Sequence, residues 1–251
     1  MSQTAVILAA GLGVRMGERG RMTPKGMIAL DGLPLVRASV MHLAGRGIDR
    51  VRIVTGHLAD AYRQEFAAMA GVELVHNPDY HQSGSLTSLL AGLDGLDGPV
   101  LILESDIMYE PRALDALSDG TSGLVISGAT GAGDEVYVWC AANGQLLTMS
   151  KDPDARRGAH AGELVGISAL AAADLDAFRA TAARLVAADP RADYETGVVA
   201  HAAGHAYTCR LVRDLAWAEV DDERMLARAH ARVWPRASAG LLPRRRAAGA
   251  R

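Results

Sequence analysis

Two cations near the start of the chain and two aspartates far apart in it stand in settings that chemistry on phosphate esters requires. Arg15 lies within GLGVRMG (11–17), directly after the apolar run TAVILAA, and Lys25 follows Pro24 shortly afterwards. A loop between a strand and a helix offers backbone N–H groups to a phosphate, and glycine lets the backbone approach closely. A guanidinium and an ammonium beside such a loop would cradle a triphosphate, and Pro24 restrains the chain that presents Lys25. Taken alone, the loop also reads as a tight turn, and Arg15, Arg19, Arg21 and Lys25 as a solvated basic segment. Its spacing is neither G-x-G-x-x-G nor G-x-x-x-x-G-K-[ST], which argues against a P-loop ATPase and weakens the case for a dinucleotide-binding oxidoreductase.

Transfer between two anions also calls for a divalent cation to neutralise and orient them. Mg²⁺ prefers a couple of carboxylates together with phosphate oxygens and water. Asp106, in LILESDIMYE, follows an apolar run at the carboxyl end of an expected strand, where Glu104 alternates with it on one face. Asp221, in WAEVDDERML, is a candidate for the second carboxylate, on the resemblance described below. Its neighbour Asp222 is the alternative ligand, and also reads as the cap of the helix ERMLARAHARV.

The elements that must position these groups are legible as alternating patterns. TAVILAA, DRVRIVTGH, VELVHNP and PVLILESDI read as strands, separated by helical spacing in LPLVRASVMHLAGRGI, LADAYRQEFAAMAG and SLTSLLAGLDGL. That alternation predicts an α/β fold, a mostly parallel central sheet with helices on both faces, whose site lies beyond the carboxyl ends of the strands. After about residue 120 the pattern loosens into further strands, with a turn at Asn143-Gly144, which predicts a small mixed-sheet addition. One domain over 1–235 and a flexible basic tail over 236–251 are expected.

Composition bounds the function. With 251 residues, 49% of them hydrophobic, the chain can bury a large core, and a net charge of -3 argues against general nucleic-acid binding. Cys140 and Cys209 lack metal spacing and read as reduced thiols, and the eight histidines show no zinc pattern. No apolar run is long enough to span a bilayer, so a cytoplasmic protein without a membrane partner is expected.

LAAGLGVRMG followed by TPKGMIALDGLPLV resembles the signature of the nucleotidyltransferases that make sugar nucleotides and CDP-alcohols, LAAGxGxRx…PKxL, with Met27 where leucine is usual. NPDYHQSGSLTSLLAGL, VLILESDIMYEPRALDAL, AGDEVYVW, MSKD, GELVGIS, YET and WAEVDD are similar to phosphonate cytidylyltransferases such as the 2-aminoethylphosphonate enzymes, relatives of the choline-phosphate type. The likeness runs from about residue 4 to 230. It implies a Rossmann-like nucleotidyltransferase fold, Mg²⁺ held by Asp106 and Asp221, and CTP as donor to a small phosphonate. Phosphocholine or a sugar 1-phosphate is the alternative acceptor. Leu8, Ala9, Ala10, Gly11 and Gly13 are expected around the nucleotide, with Gln82, Ser83, Ser85 and Thr87 as hydrogen-bonding groups for the base. Ser85 also reads as a helix cap. Lys25, Arg15 and Lys151 are the expected catalytic cations, and Glu135, Glu163, Tyr194 and Glu195 the expected acceptor contacts. A non-catalytic nucleotide binder is the rival of a different class, and retention of both cations and both aspartates argues against it. The oligomeric state stays open, with a homodimer among the options.

Overall fold

The computed structural model describes residues 3–133 and 135–241. Strand β1 (Thr4–Ala9) runs into the glycine loop, a short helix α1 (Gly17–Met22) and a small hairpin of β2 (Ala29–Leu30) and β3 (Leu33–Pro34). Helix α2 (Leu35–Ala44), β4 (Arg50–Thr55), α3 (Ala59–Phe66), β5 (Val72–His76), α4 (Ser85–Leu93) and β6 (Val100–Glu104) then alternate as the apolar patterning predicts. β1 pairs in parallel with β4 on one side and β6 on the other, and β4 pairs in parallel with β5.

Period-2 alternation along β1 divides the core into two layers. Val6 and Leu8 pack with Leu86, Leu89 and Leu93 of α4 on one face. Ala5, Ile7 and Ala9 pack on the other with Val36, Val40 and Leu43 of α2 and Tyr62 and Phe66 of α3. β1 is therefore apolar from residue 5 to 9, because neither of its faces meets water.

The second half adds β7 (Ile107–Tyr109), α5 (Arg112–Asp115), β8 (Gly123–Ser127), β9 (Tyr137–Cys140), β10 (Leu146–Ser150) and the long, buried β11 (Gly162–Leu170). Helices α6 (Leu175–Ala188) and α7 (Tyr194–Ala202), strands β12 (Thr208–Leu211) and β13 (Trp217–Glu219), and helices α8 (Glu223–Arg232) and α9 (Trp234–Ala237) follow. The mixed part continues the parallel core: β11 runs antiparallel to β6, and the β9–β10 hairpin and β8 both attach to β11. The hairpin turns at Asn143-Gly144, where Gly144 has a φ of 83°. Cys140 and Cys209 are free thiols.

A third apolar cluster joins the glycine loop to the carboxyl-terminal helices through Met16, Ile28, Met108, Val220, Leu226 and Trp234. The expected boundary at residue 235 falls inside this packing, because Ala237 is buried and the His42 ring bonds its backbone. Arg236 pairs with Glu110, and Leu241 still lies against the cluster. The remainder of the expected tail, 242–251, lies outside the described residues. Among the described residues, no helix is long and apolar enough to cross a membrane.

Candidate active site

The glycine loop leaves the carboxyl end of β1 and bends back at Gly13, whose φ of 63° favours glycine and where a Cβ would lie 3.5 Å from the Lys25 stem. Met16 anchors the loop in the third cluster, which fixes where Arg15 emerges. Lys25 opens a tight helical turn after Pro24. Its Nζ donates to Asp106 Oδ2 at 2.8 Å and to Asp221, and Arg15 also pairs with Asp221. Burial works against the Lys25 charge, but Asp106 and Asp221 outweigh it and raise the ammonium's pKa above its ordinary value.

Asp106 and Asp221 are far apart in sequence and are brought together by a two-strand ladder. β13 runs antiparallel to β7 with Glu219 opposite Ile107, and the Val220 N–H donates to the Asp106 carbonyl at 2.9 Å. The same ladder carries in Glu219. Glu104, Asp106 and Glu219 each offer an oxygen, and these atoms lie within 4.8 Å of one another. Burial, then Glu104, Asp106 and Asp221, pushes Glu219 up to about 10. Burial, then Glu195 and Asp106, pushes Glu104 up to about 8, although the Tyr194 hydroxyl donates to it at 2.6 Å. Burial, then Asp193, takes Glu195 to about 7. Acidic oxygens held this close are in electrostatic conflict that a divalent cation relieves, and an all-oxygen donor set is one that Mg²⁺ accepts.

Two chambers meet at this carboxylate wall. The loop chamber is the roomier and the hairpin chamber the narrower, with Glu104, Lys151, Glu195 and Glu219 lining both. Leu8, Ala9, Ala10, Gly11 and Gly13 line the loop chamber with Arg15 and Lys25, and Ser83, Ser85 and Tyr194 face it from the far side. Glu135 lines the hairpin chamber, where it accepts the Gly133 N–H at 3.0 Å.

Three expected contacts stand elsewhere. Gln82 is exposed and donates to Asp79 at 3.0 Å, and Thr87 turns to the Pro190 carbonyl at 3.3 Å, so neither lines a chamber. Glu163, expected at the site mouth, is buried in β11 with the segment around Thr130 lying over its carboxylate. Its two oxygens accept the Thr130 N–H at 3.1 and 2.9 Å, anchoring the chain over the hairpin chamber. Ser85 is not a cap: α4 begins after Gly84, and the Ser85 hydroxyl accepts the Tyr194 N–H at 2.8 Å. Gly84 has no room for a side chain, since a Cβ there would lie 2.2 Å from the Ala192 carbonyl oxygen. Asp222 caps α8 by accepting the Met225 N–H at 2.7 Å, which leaves Asp221 to face Lys25.

Glu219 and Arg228 are chamber residues that sequence reasoning passed over. A signal for the first was present, because Trp217, Glu219 and Asp221 alternate at period two. Arg228 had none, since three arginines spaced along a helix read as a solvated face.

The MobA-like NTP transferase domain family matches residues 5–157, and the chain belongs to this family. It is 34% identical over 238 residues to the CMP-5'-(3-aminopropyl)phosphonate synthase of Streptomyces rubellomurinus, covering 87% of this chain and 37% of that protein. It is 31% identical over 115 residues to the 2-aminoethylphosphonate cytidylyltransferase of Lancefieldella rimae, covering 43% and 47% respectively. The chain thus matches less than half the length of either relative. Its fold is similar to the inositol-1-phosphate CTP transferase of T. maritima, with a TM-score of 0.81, 15% identity, and 96% and 98% of the two chains covered.

Proposed function

We propose that the chain transfers the cytidylyl group of CTP to a small phosphonate, such as 2-aminoethylphosphonate or a hydroxyalkylphosphonate, releasing pyrophosphate. The observation that carries this reading is the pair of chambers joined at one carboxylate wall, with Lys25 and Arg15 on one side and Lys151 shared between them. The first chamber suits a triphosphate and the second a small charged acceptor. The names of the two relatives support cytosine and a phosphonate.

In this reading an acceptor phosphonate oxygen attacks the α-phosphorus, a new P–O bond forms, and the bond to the β-phosphate oxygen breaks. Lys25 and Arg15 stabilise negative charge on the phosphates, and the backbone of 11–13 approaches them without side-chain interference at Gly11 and Gly13. Lys151 orients the acceptor at the junction. Asp106 and Glu219 would hold Mg²⁺ together with Asp221, which shares the Lys25 ammonium with Asp106, and Glu104, held by Tyr194, offers a further oxygen. Bound there, the ion supplies charge neutralisation between two anionic reactants. A general base is unnecessary, because a phosphonate dianion is already a nucleophile near neutral pH. CTP and a small phosphonate are both water-soluble and charged, which supports a cytoplasmic setting.

Trp217 is the one aromatic side chain among the described residues lining the hairpin chamber. A quaternary ammonium is bound by a cage of several aromatic faces, so this wall favours a primary amine or hydroxyl over choline. The test is pyrophosphate release with Mg²⁺, crossing four nucleoside triphosphates with 2-aminoethylphosphonate, 2-hydroxyethylphosphonate, phosphocholine and glucose 1-phosphate. Turnover with CTP and a phosphonate is expected. Turnover confined to phosphocholine or the sugar phosphate overturns the acceptor, and silence in a folded protein that binds CTP overturns catalysis.

A further inference from the structure

The hairpin chamber does not end at Glu135. It opens into a second, shallower cleft between 130–132 and α8, and the two share Thr130, Ala132, Met225 and Arg228. Arg224, Arg228 and Arg232 follow one another at i, i+4 and i+8 and so stack on one face of α8. No acidic side chain lines this cleft among the described residues. Arg224 donates to the Ala132 carbonyl at 3.3 Å and Arg228 to the Thr130 carbonyl, and neither has a carboxylate partner among the described residues. Arg228 is half-buried, whereas Arg224 and Arg232 are exposed. A guanidinium that is drawn from water and met by a neutral carbonyl keeps donors for an anion, and it does so here inside the acceptor's own chamber.

Glu135 stands in the same chamber. Burial opposes its charge, but bonds from Gly133 and other backbone N–H groups and from Tyr137 outweigh burial and keep its pKa below the ordinary value. The distal wall therefore carries one anion and one cation, while Lys151 waits at the end next to the carboxylate wall.

Resting on the phosphonate reading above, we infer that the preferred acceptor is an ω-phosphono-α-amino acid, its phosphonate at Lys151, its ammonium at Glu135 and its carboxylate at Arg228. A plain aminoalkylphosphonate satisfies Glu135 and leaves Arg228 without an anion. A bidentate guanidinium–carboxylate pair is among the stronger polar contacts, so the carboxylate raises acceptor selectivity by about tenfold or more.

The experiment measures kcat/KM by pyrophosphate release at saturating CTP and Mg²⁺ for 2-amino-3-phosphonopropionate, 2-amino-4-phosphonobutyrate, 2-aminoethylphosphonate and phosphocholine. At least one amino acid acceptor is expected to exceed 2-aminoethylphosphonate about tenfold. In Arg228→Gln the ratio between them collapses toward one, chiefly through KM of the amino acid, and Arg228→Lys restores part of it. The ratio is insensitive to a general loss of active protein, and the wild-type panel needs no variant. Turnover of 2-aminoethylphosphonate with no gain from the carboxylate overturns this inference alone, as does a ratio unchanged in Arg228→Gln. Turnover of phosphocholine with none of the phosphonates overturns the phosphonate reading beneath it.

Discussion

The loop chamber and the hairpin chamber share four side chains, yet the rest of their walls come from different parts of the fold. The loop chamber gathers largely at the carboxyl ends of parallel strands, from 8–13 at the end of β1, 83–85 before α4, and 104–106 at the end of β6. The hairpin chamber gathers largely in the mixed half, from 130, 132, 135–136, 164–166, 217–218, 225 and 228. A glycine loop at a strand end is fixed once the sheet forms and suits a phosphate chain common to many substrates. A wall of side chains such as Glu135, Trp217 and Arg228 changes with single substitutions and suits the partner that distinguishes one such enzyme from another.

If that division holds, substitutions on the two sides should separate in kinetics. Asp106→Ala strikes the shared wall and should abolish turnover, with no recovery across a magnesium titration. Near-normal activity in that titration would remove Asp106 from the metal site. Lys25→Ala should lower kcat by ~10²–10³, the range seen when one transition-state donor is lost. A rise in KM with kcat intact would instead make Lys25 a uniform binder of ground and transition states.

Glu163→Gln should affect the hairpin side alone. It replaces a carboxylate that accepts the Thr130 N–H through both oxygens. Weakening that anchor by about 1–2 kcal/mol should raise KM for the acceptor several-fold and leave KM for CTP within about twofold. Equal changes in both would mean that the two chambers are not mechanically separate.

The smallest effect expected belongs to the scaffold under both chambers. Burial, then Arg46, lowers the pKa of His42 to about 4, from an ordinary value of 6.5. Between those values the unfolded chain binds a proton that the folded chain does not, so stability is highest above pH 6.5 and falls as pH drops toward 4. The slope is at most about 1.4 kcal/mol per pH unit, less where His42 keeps contact with water. Urea midpoints of wild type and His42→Gln between pH 7 and 5 should show a shallower pH dependence in the variant. Parallel curves would contradict the assignment.

The same contrast explains what the sequence made visible. The strands β1 and β6 announce themselves as short apolar runs and β4 and β5 as short runs in which apolar and polar residues mix, all bounded by turns, and the glycine loop and Lys25 lie within one local segment. Asp106 could be read from the end of its strand. Glu219 was harder, because its place beside Glu104 and Asp106 depends on the β7–β13 ladder, a pairing across most of the second half. Gln82 and Thr87 were misplaced for a related reason. Hydrogen-bonding types beside a helix start do not reveal that the 190–192 segment docks there and takes Thr87, while Asp79 takes Gln82. Glu163 shows the limit most clearly: an acid before an apolar strand looks like a mouth residue until the segment around Thr130 closes over it and engages both its oxygens. Arg228 gains meaning only once 130–132 folds over α8.

The most direct test of the central claim follows both phosphorus centres in one tube. ³¹P NMR of CTP, Mg²⁺ and an aminophosphonate with the enzyme should show pyrophosphate and a new coupled pair of resonances from a phosphonate–phosphate anhydride, growing in equal amounts. Pyrophosphate and CMP growing while the phosphonate resonance stays unchanged would contradict transfer and leave a nucleotide hydrolase on the same fold.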